Sequence, residues 1–170
     1  PDTNYIWLLG DTYQAPKGGI SYLLELIKNK KYDAIVFNLA NKLKLPTKDH
    51  DDSNVLLHDL GALMTCLSCL VFSKELLDRA NFSRYYQSSF IQTGIIFEDI
   101  ADKDFLINWV QTLSVTGFAN ENLRKANWSH TSESFEIGCK DWSNFVFSLP
   151  PSYDINSKMK CIMDFGKVSG

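Results

Sequence analysis

The chain reads as an α/β domain, and three observations predict that class. Tyr5 to Leu9 is a run of aromatic and aliphatic residues bounded by Gly10, the composition of a strand buried on both faces. Ile20, Leu23, Leu24 and Ile27 then recur at helical spacing. Tyr32 to Phe37 is a second apolar run. Strand, helix and strand in that order predict a mixed sheet flanked by helices. Tyr5–Leu9 and Ala34–Phe37 are expected to be neighbouring strands, with a helix from Lys17 to Asn29 crossing between them. Pro16 suits the first turn of that helix.

The remaining elements follow from local signals. Ala40 to Ser53 is polar and reads as a loop, and Asp52 or Ser53 can cap a helix through Val55–Ala62. A strand over Leu67–Phe72 leads into a short helix, Lys74–Ala80. Asn81 to Ser89 reads as a surface loop, followed by a helix over 88–100 and a strand ending near Val115. Gly117 to Thr131 reads as a loop with a short helical stretch. Phe135, Ile137, Trp142, Phe145 and Val146 mark a helix that Pro150-Pro151 stops. Ile155 to Phe165 closes the chain as one more helix.

At 170 residues the chain suits a single domain, with units at 1–39, 54–115 and 116–170. A net charge of −3 gives no footprint for a nucleic acid polymer. Lysines at 28, 30 and 31 and at 42, 44 and 48 read as solvated helix ends and loop; an anionic lipid surface is the sharper alternative. The apolar run Leu60–Phe72 is broken by Thr65 and Ser68 and is too short to span a bilayer. Of the four cysteines, Cys66 and Cys69 lie within that run and are expected to be reduced and buried, which points to the cytoplasm. Cys66-x-x-Cys69 lacks the second pair or nearby His of a zinc site, and it lacks a basic neighbour for redox work.

Asp11 falls just past the carboxyl end of the first strand, where open α/β sheets place ligand groups; it also reads as a turn residue. From here the chain resembles the middle of family-2 glycosyltransferases, in which a strand like "YIWLLGDDD" runs into a helix opening near "PGAI". This chain has YIWLLGD at 5–11, then Pro16, Gly18, Gly19 and Ile20. LGALMTCLSCLVFSKEL at 60–76 and FIQTGIIFED at 90–99 continue the resemblance in register. It implies a partial nucleotide-diphospho-sugar transferase (GT-A-like) fold: the acceptor-side, carboxyl-terminal half of a bacterial enzyme. The donor-binding half would precede Pro1 or lie on another chain. The isolated half would then be inactive, and its open sheet edge favours a homodimer or aggregation.

The implied activity is transfer from a nucleotide-sugar donor to a glycan or lipid-linked acceptor. That work belongs to surface polysaccharide synthesis at the inner face of the membrane. The family's Asp-x-Asp signature aligns with Asp11, Thr12 and Tyr13, so one carboxylate of the pair is present. Asp11 is then the donor and metal residue, for magnesium or manganese. Asp99, or Glu98 beside it, stands at the family's spacing for the catalytic base. Ser68 and Gln92 fall in the implied acceptor pocket, and His130 matches a late metal ligand of some members. Gln92 equally suits a buried backbone group. A second reading, favoured by Thr12 and Tyr13, is a non-catalytic domain that keeps the fold to bind a glycan or a protein.

Overall fold

The computed structural model describes residues 4–118 and 133–168. Six strands form one mixed sheet: β1 (Tyr5–Trp7), β2 (Tyr13–Gln14), β3 (Ala34–Leu39), β4 (Lys48–His50), β5 (Leu70–Ser73) and β6 (Ile107–Gly117). The order is β1-β5-β3-β6-β2, and β4 also pairs with β6. β5 runs antiparallel to both β1 and β3, whereas β3 and β6 are parallel. The carboxyl ends of β1, β3 and β6 therefore share one edge of the sheet.

The α/β class holds, with three corrections. β1 and β3 are parallel members of one sheet, but β5 sits between them and they are not neighbours. β1 is half-buried at the edge and ends at Trp7; Leu8 and Leu9 are exposed. The fully buried strands are β3, all six residues of which are buried, and β5 beside it. The polar stretch 40–53 contains a strand, β4, which pairs His50 with Ile107. Its short, charged sequence hid it from an apolar pattern search.

The helices are α1 (Gly19–Asn29), α2 (Ser53–Leu60), α3 (Lys74–Arg79), α4 (Phe82–Tyr85), α5 (Ile91–Asp99), α6 (Glu133–Phe135), α7 (Trp142–Ser148) and α8 (Ile155–Val168). Asp52 caps α2 by accepting from the N–H groups of Asn54 and Val55, as the sequence predicts. α1 begins later than expected: Pro16 closes a turn ahead of it, and Gly18 takes φ 78°, a conformation that favours glycine. α1 buries Leu23 but leaves Ile20 and Leu24 exposed. α6 runs through a π-helical stretch, Glu136–Asp141, into α7.

β6 is long enough to pair twice. Ile107–Val110 pair with the first part of β3; the register then slips between Phe37 and Asn38, so that Asn38 faces Ser114. The slip frees backbone groups, and the buried Asn38 amide meets them. It donates to the carbonyls of Gln111 and Leu43 and accepts from the N–H of Leu39 and Leu43. A buried polar side chain is tolerated because its hydrogen bonds are made. Beyond the slip, β6 reaches far enough to pair with β2.

An aromatic cluster joins the carboxyl-terminal helices to the sheet's other layers. Trp142 lies 4.8 Å from Phe90, 5.3 Å from Phe145 and 5.0 Å from Phe165, ring centre to ring centre. On the opposite side, Trp7 stacks on Phe37 at 4.6 Å. Each such pair contributes about 0.5–1.5 kcal/mol beyond its buried area. Among the described residues, no helix is long and apolar enough to cross a membrane.

Candidate functional site

A cavity of about 410 Å³ opens at the carboxyl edge of β1 and β3. Gly10 and Tyr13 reach it from the turn after β1, and Leu39 from the end of β3. Thr65, Cys66 and Ser68 come from two short 3₁₀ turns, Leu63–Thr65 and Leu67–Cys69, that lead into β5. Ser89 and Phe90 contribute from the start of α5. The sequence predicts a strand from Leu67, but β5 starts only at Leu70. The residues before it coil instead and turn Cys66 and Ser68 onto the cavity wall.

The acidic turn is tied to this wall. The N–H of Tyr13 donates to the Gly10 carbonyl at 3.0 Å, spanning Asp11 and Thr12. The Gly10 N–H donates to Ser68 Oγ at 3.0 Å, and Trp7 Nε1 donates to the Ser68 carbonyl at 2.8 Å. Asp11 is exposed in the turn, and Tyr13 bends inward as the first residue of β2. Ser68 is thus a buried brace between the acidic turn and β5, its hydroxyl proton still free to find a second acceptor.

Gln92 stands in the first turn of α5, where its Nε2 donates to the Thr65 carbonyl at 2.6 Å. Thr93 makes the matching bond from its hydroxyl to the Met64 carbonyl at 3.1 Å. The two satisfy carbonyls of a 3₁₀ turn, the backbone role anticipated as one alternative for Gln92.

Asp99 and Glu98 lie elsewhere. Asp33 immediately precedes β3, at the opposite edge of the sheet, and Arg79 binds it at 3.0 Å and Asp99 at 2.8 Å. Lys103 also pairs with Asp99, whose side chain is only 4% exposed. Burial alone would raise the Asp99 carboxyl, but the hydrogen bonds from Arg79 and Lys103 outweigh it and hold it below the usual range. Such a group is a weak proton acceptor at neutral pH. The length of β3 separates the two edges by roughly 15–20 Å at the ordinary rise per residue. Glu98 accepts from the Tyr85 hydroxyl at 2.7 Å and pairs with Arg84 at 2.7 Å, fastening α4 to α5. The expected convergence of Asp11 with Asp99 or Glu98 on one cleft is therefore corrected. The end of α5 that meets the cavity is its beginning, and the acidic pair sits at its other end.

His130 lies outside the described residues. His58 contacts Asp59 at 2.9 Å and Lys48 pairs with Asp59 at 3.0 Å, while Asp52 caps α2. Among the described residues, no group of three or more His, Cys, Asp or Glu side chains is placed to hold a metal ion. Asp11 offers one carboxylate, and Tyr13 is turned toward Cys66, so a magnesium or manganese ion finds no preassembled ligand set in this part of the chain.

Cys66 is the feature that the sequence undersold. It is half-buried on the cavity wall, while Cys69 is fully buried behind it; both are free thiols. The hydrogen bond from Cys69 is the largest influence on Cys66 and pulls its pKa down, to about 7. Burial opposes the shift, and the N–H groups of Cys69 and Ser68 and the Tyr13 hydroxyl assist it. Cys69 moves the opposite way, raised by its bond to Cys66 and by burial. The basic neighbour missing from the sequence is replaced by converging hydrogen-bond donors.

Comparison with protein families, with characterised proteins and with solved structures finds no match to this chain.

Proposed function

We propose that the chain is the acceptor-side part of a family-2-type glycosyltransferase with a GT-A-like fold, and that the cavity at the carboxyl edge receives the acceptor sugar. One observation carries this reading: the acidic turn that resembles the family's donor motif borders a cavity whose mainly apolar lining also carries four hydroxyl groups. Tyr13, Thr65, Ser68 and Ser89 line it together with Phe90. Hydroxyls match the donors and acceptors of a sugar ring, and an aromatic face suits its C–H surface. The volume of about 410 Å³ falls within the range of small-ligand sites.

In this reading Asp11, exposed at the cavity's border, faces the nucleotide-sugar donor. Ser68 holds the turn at the height of the cavity floor. Asp99 and Glu98 are structural, so the proton of the acceptor hydroxyl must pass to a group other than these two.

The reading is tested in the full-length protein by measuring nucleoside diphosphate release from a panel of nucleotide sugars, with and without glycan acceptors. Release that depends on donor and acceptor, and that falls at least tenfold in Asp11→Ala, is expected. A protein that binds glycans but releases no diphosphate from any donor would favour the non-catalytic alternative, for which the Tyr13–Cys66 contact in place of a second metal carboxylate is the favourable observation.

A further inference from the structure

The paired cysteines have no part in sugar transfer, yet their surroundings are built around one sulfur. The N–H of Cys69 donates to the Cys66 carbonyl at 2.9 Å, closing a four-residue turn. Such turns hold their first and fourth Cα atoms within about 7 Å, a separation that a disulfide can bridge. The turn thus brings Cys66 and Cys69 within reach of each other, and both are free thiols. They are also unequal. Cys66 borders the cavity, reachable by a small molecule, whereas Cys69 is buried, its sulfur 3.8 Å from the Asn38 carbonyl. The other two cysteines lack this arrangement: Cys139 is exposed on the π-helical stretch, and Cys161 is buried on α8, where burial pushes its thiol up.

We propose that Cys66 is a peroxide-reactive thiol with Cys69 as its resolving partner, and that the pair closes to a disulfide on the cavity wall.

In the first step the Cys66 thiolate sulfur attacks one oxygen of hydrogen peroxide. An S–O bond forms and the O–O bond breaks; hydroxide leaves and takes a proton from water or buffer. The sulfur is oxidised by two electrons to a sulfenic acid and the peroxide is reduced by the same two. In the second step the Cys69 sulfur attacks the Cys66 sulfur. The S–S bond forms, the S–O bond breaks, and the Cys69 proton departs with the hydroxyl as water. The four donors around Cys66 favour the first step by stabilising the thiolate. Burial of Cys69 keeps it a thiol until the sulfenic acid is presented to it. Closure removes the thiolate to which the Tyr13 hydroxyl donates and so loosens one anchor of the turn that carries Asp11. That consequence for donor binding rests on the glycosyltransferase reading; the sulfur chemistry does not.

The test uses the reduced full-length protein and hydrogen peroxide at equimolar concentration, followed by peptide mapping without reductant. Both cysteines fall in the tryptic peptide 49–74. That peptide is expected to lose the mass of two hydrogens before Cys139 is oxidised, and to regain it with a small dithiol. Cys69→Ser should accumulate a sulfenic acid at Cys66, trapped by a cyclic 1,3-diketone. Tyr13→Phe should slow wild-type disulfide formation several-fold and move the pH profile of Cys66 alkylation upward. Oxidation of Cys139 ahead of Cys66, or a peptide 49–74 that keeps both thiols in the folded protein, would overturn the proposal. The wild-type map decides the matter even where a variant fails to fold. Loss of transfer activity without the disulfide would count against the glycosyltransferase reading alone.

Discussion

At the amino edge of β3, Arg79 bridges Asp33 and Asp99 while Lys103 closes the other side of the Asp99 carboxylate. At the carboxyl edge, Gly10, Tyr13, Cys66 and Ser68 meet around a cavity. The first region is richer in formal charge, and every carboxylate oxygen that faces inward there is answered by a cation or an N–H, including that of Leu106 on Asp33. The second has less charge, but its groups face open space and one thiol is shifted toward neutral pH. Acidic density in a sequence does not by itself mark a site: at the amino edge the acids brace the fold.

The largest expected effect lies behind the cavity, where Trp142 packs on the lining residues Phe90 and Phe165. Trp142 contacts Phe90, Phe145 and Phe165 and is fully buried. Trp142→Ala should cost about 3–5 kcal/mol in denaturant unfolding. Asp99→Asn comes next. Breaking a fully buried ion pair costs about 3–5 kcal/mol and an exposed one under about 1, and Arg79 and Lys103 are roughly two-fifths exposed. An intermediate loss of about 1–3 kcal/mol is expected, with activity per folded molecule unchanged.

A third test uses pH. His50 is 2% exposed with Nε2 lacking a hydrogen-bond partner. Burial, helped by Lys48, lowers its pKa against the opposing pull of Asp59, Asp51 and Asp49. The unfolded chain therefore takes up the histidine proton first as pH falls below the usual 6.5. Stability should fall by up to about 1.4 kcal/mol per pH unit below that value, until folded His50 protonates too. His50→Gln should flatten this slope in unfolding measured between pH 7 and 5. Two smaller effects sharpen the contrast at the cavity. Ser68→Ala, which removes the acceptor for the Gly10 N–H, should cost about 1 kcal/mol. Asp11→Ala, at an exposed turn position, should change stability by about 0.5 kcal/mol or less while weakening donor binding in the proposed reading.

Much of the fold is legible because local signals and tertiary packing agree. Asp52 caps its helix, Pro150-Pro151 ends another, and the apolar run before Phe37 becomes a fully buried strand. Strand order is not legible, since the insertion of β5 between β1 and β3 depends on long-range pairing that no local pattern encodes. β4 escapes because Lys48, Asp49 and His50 read as loop, although Asp49 accepts from Asn108 across the strands. Ser68, which the resemblance singles out, lies on the cavity wall, and Asp11 lies in the turn that Ser68 braces. Asp99 is misjudged because spacing along a chain does not say which end of α5 faces the cavity. The lowered Cys66 thiol is not legible because its donors, Tyr13 and the turn's N–H groups, are brought to it only by folding. The backbone role of Gln92 is one of the two the sequence allows, but its partner, the Thr65 carbonyl, is set only by folding.

The central claim is that ligand chemistry belongs to the carboxyl edge of the sheet. It is tested most directly by amide chemical-shift mapping of the full-length protein titrated with nucleoside diphosphates and nucleotide sugars. The account predicts perturbations at Gly10 to Tyr13 and at Cys66 to Ser68, with Asp33, Arg79 and Asp99 unmoved. Perturbations centred on Asp33 and Asp99, with the Gly10–Tyr13 turn silent, would contradict it.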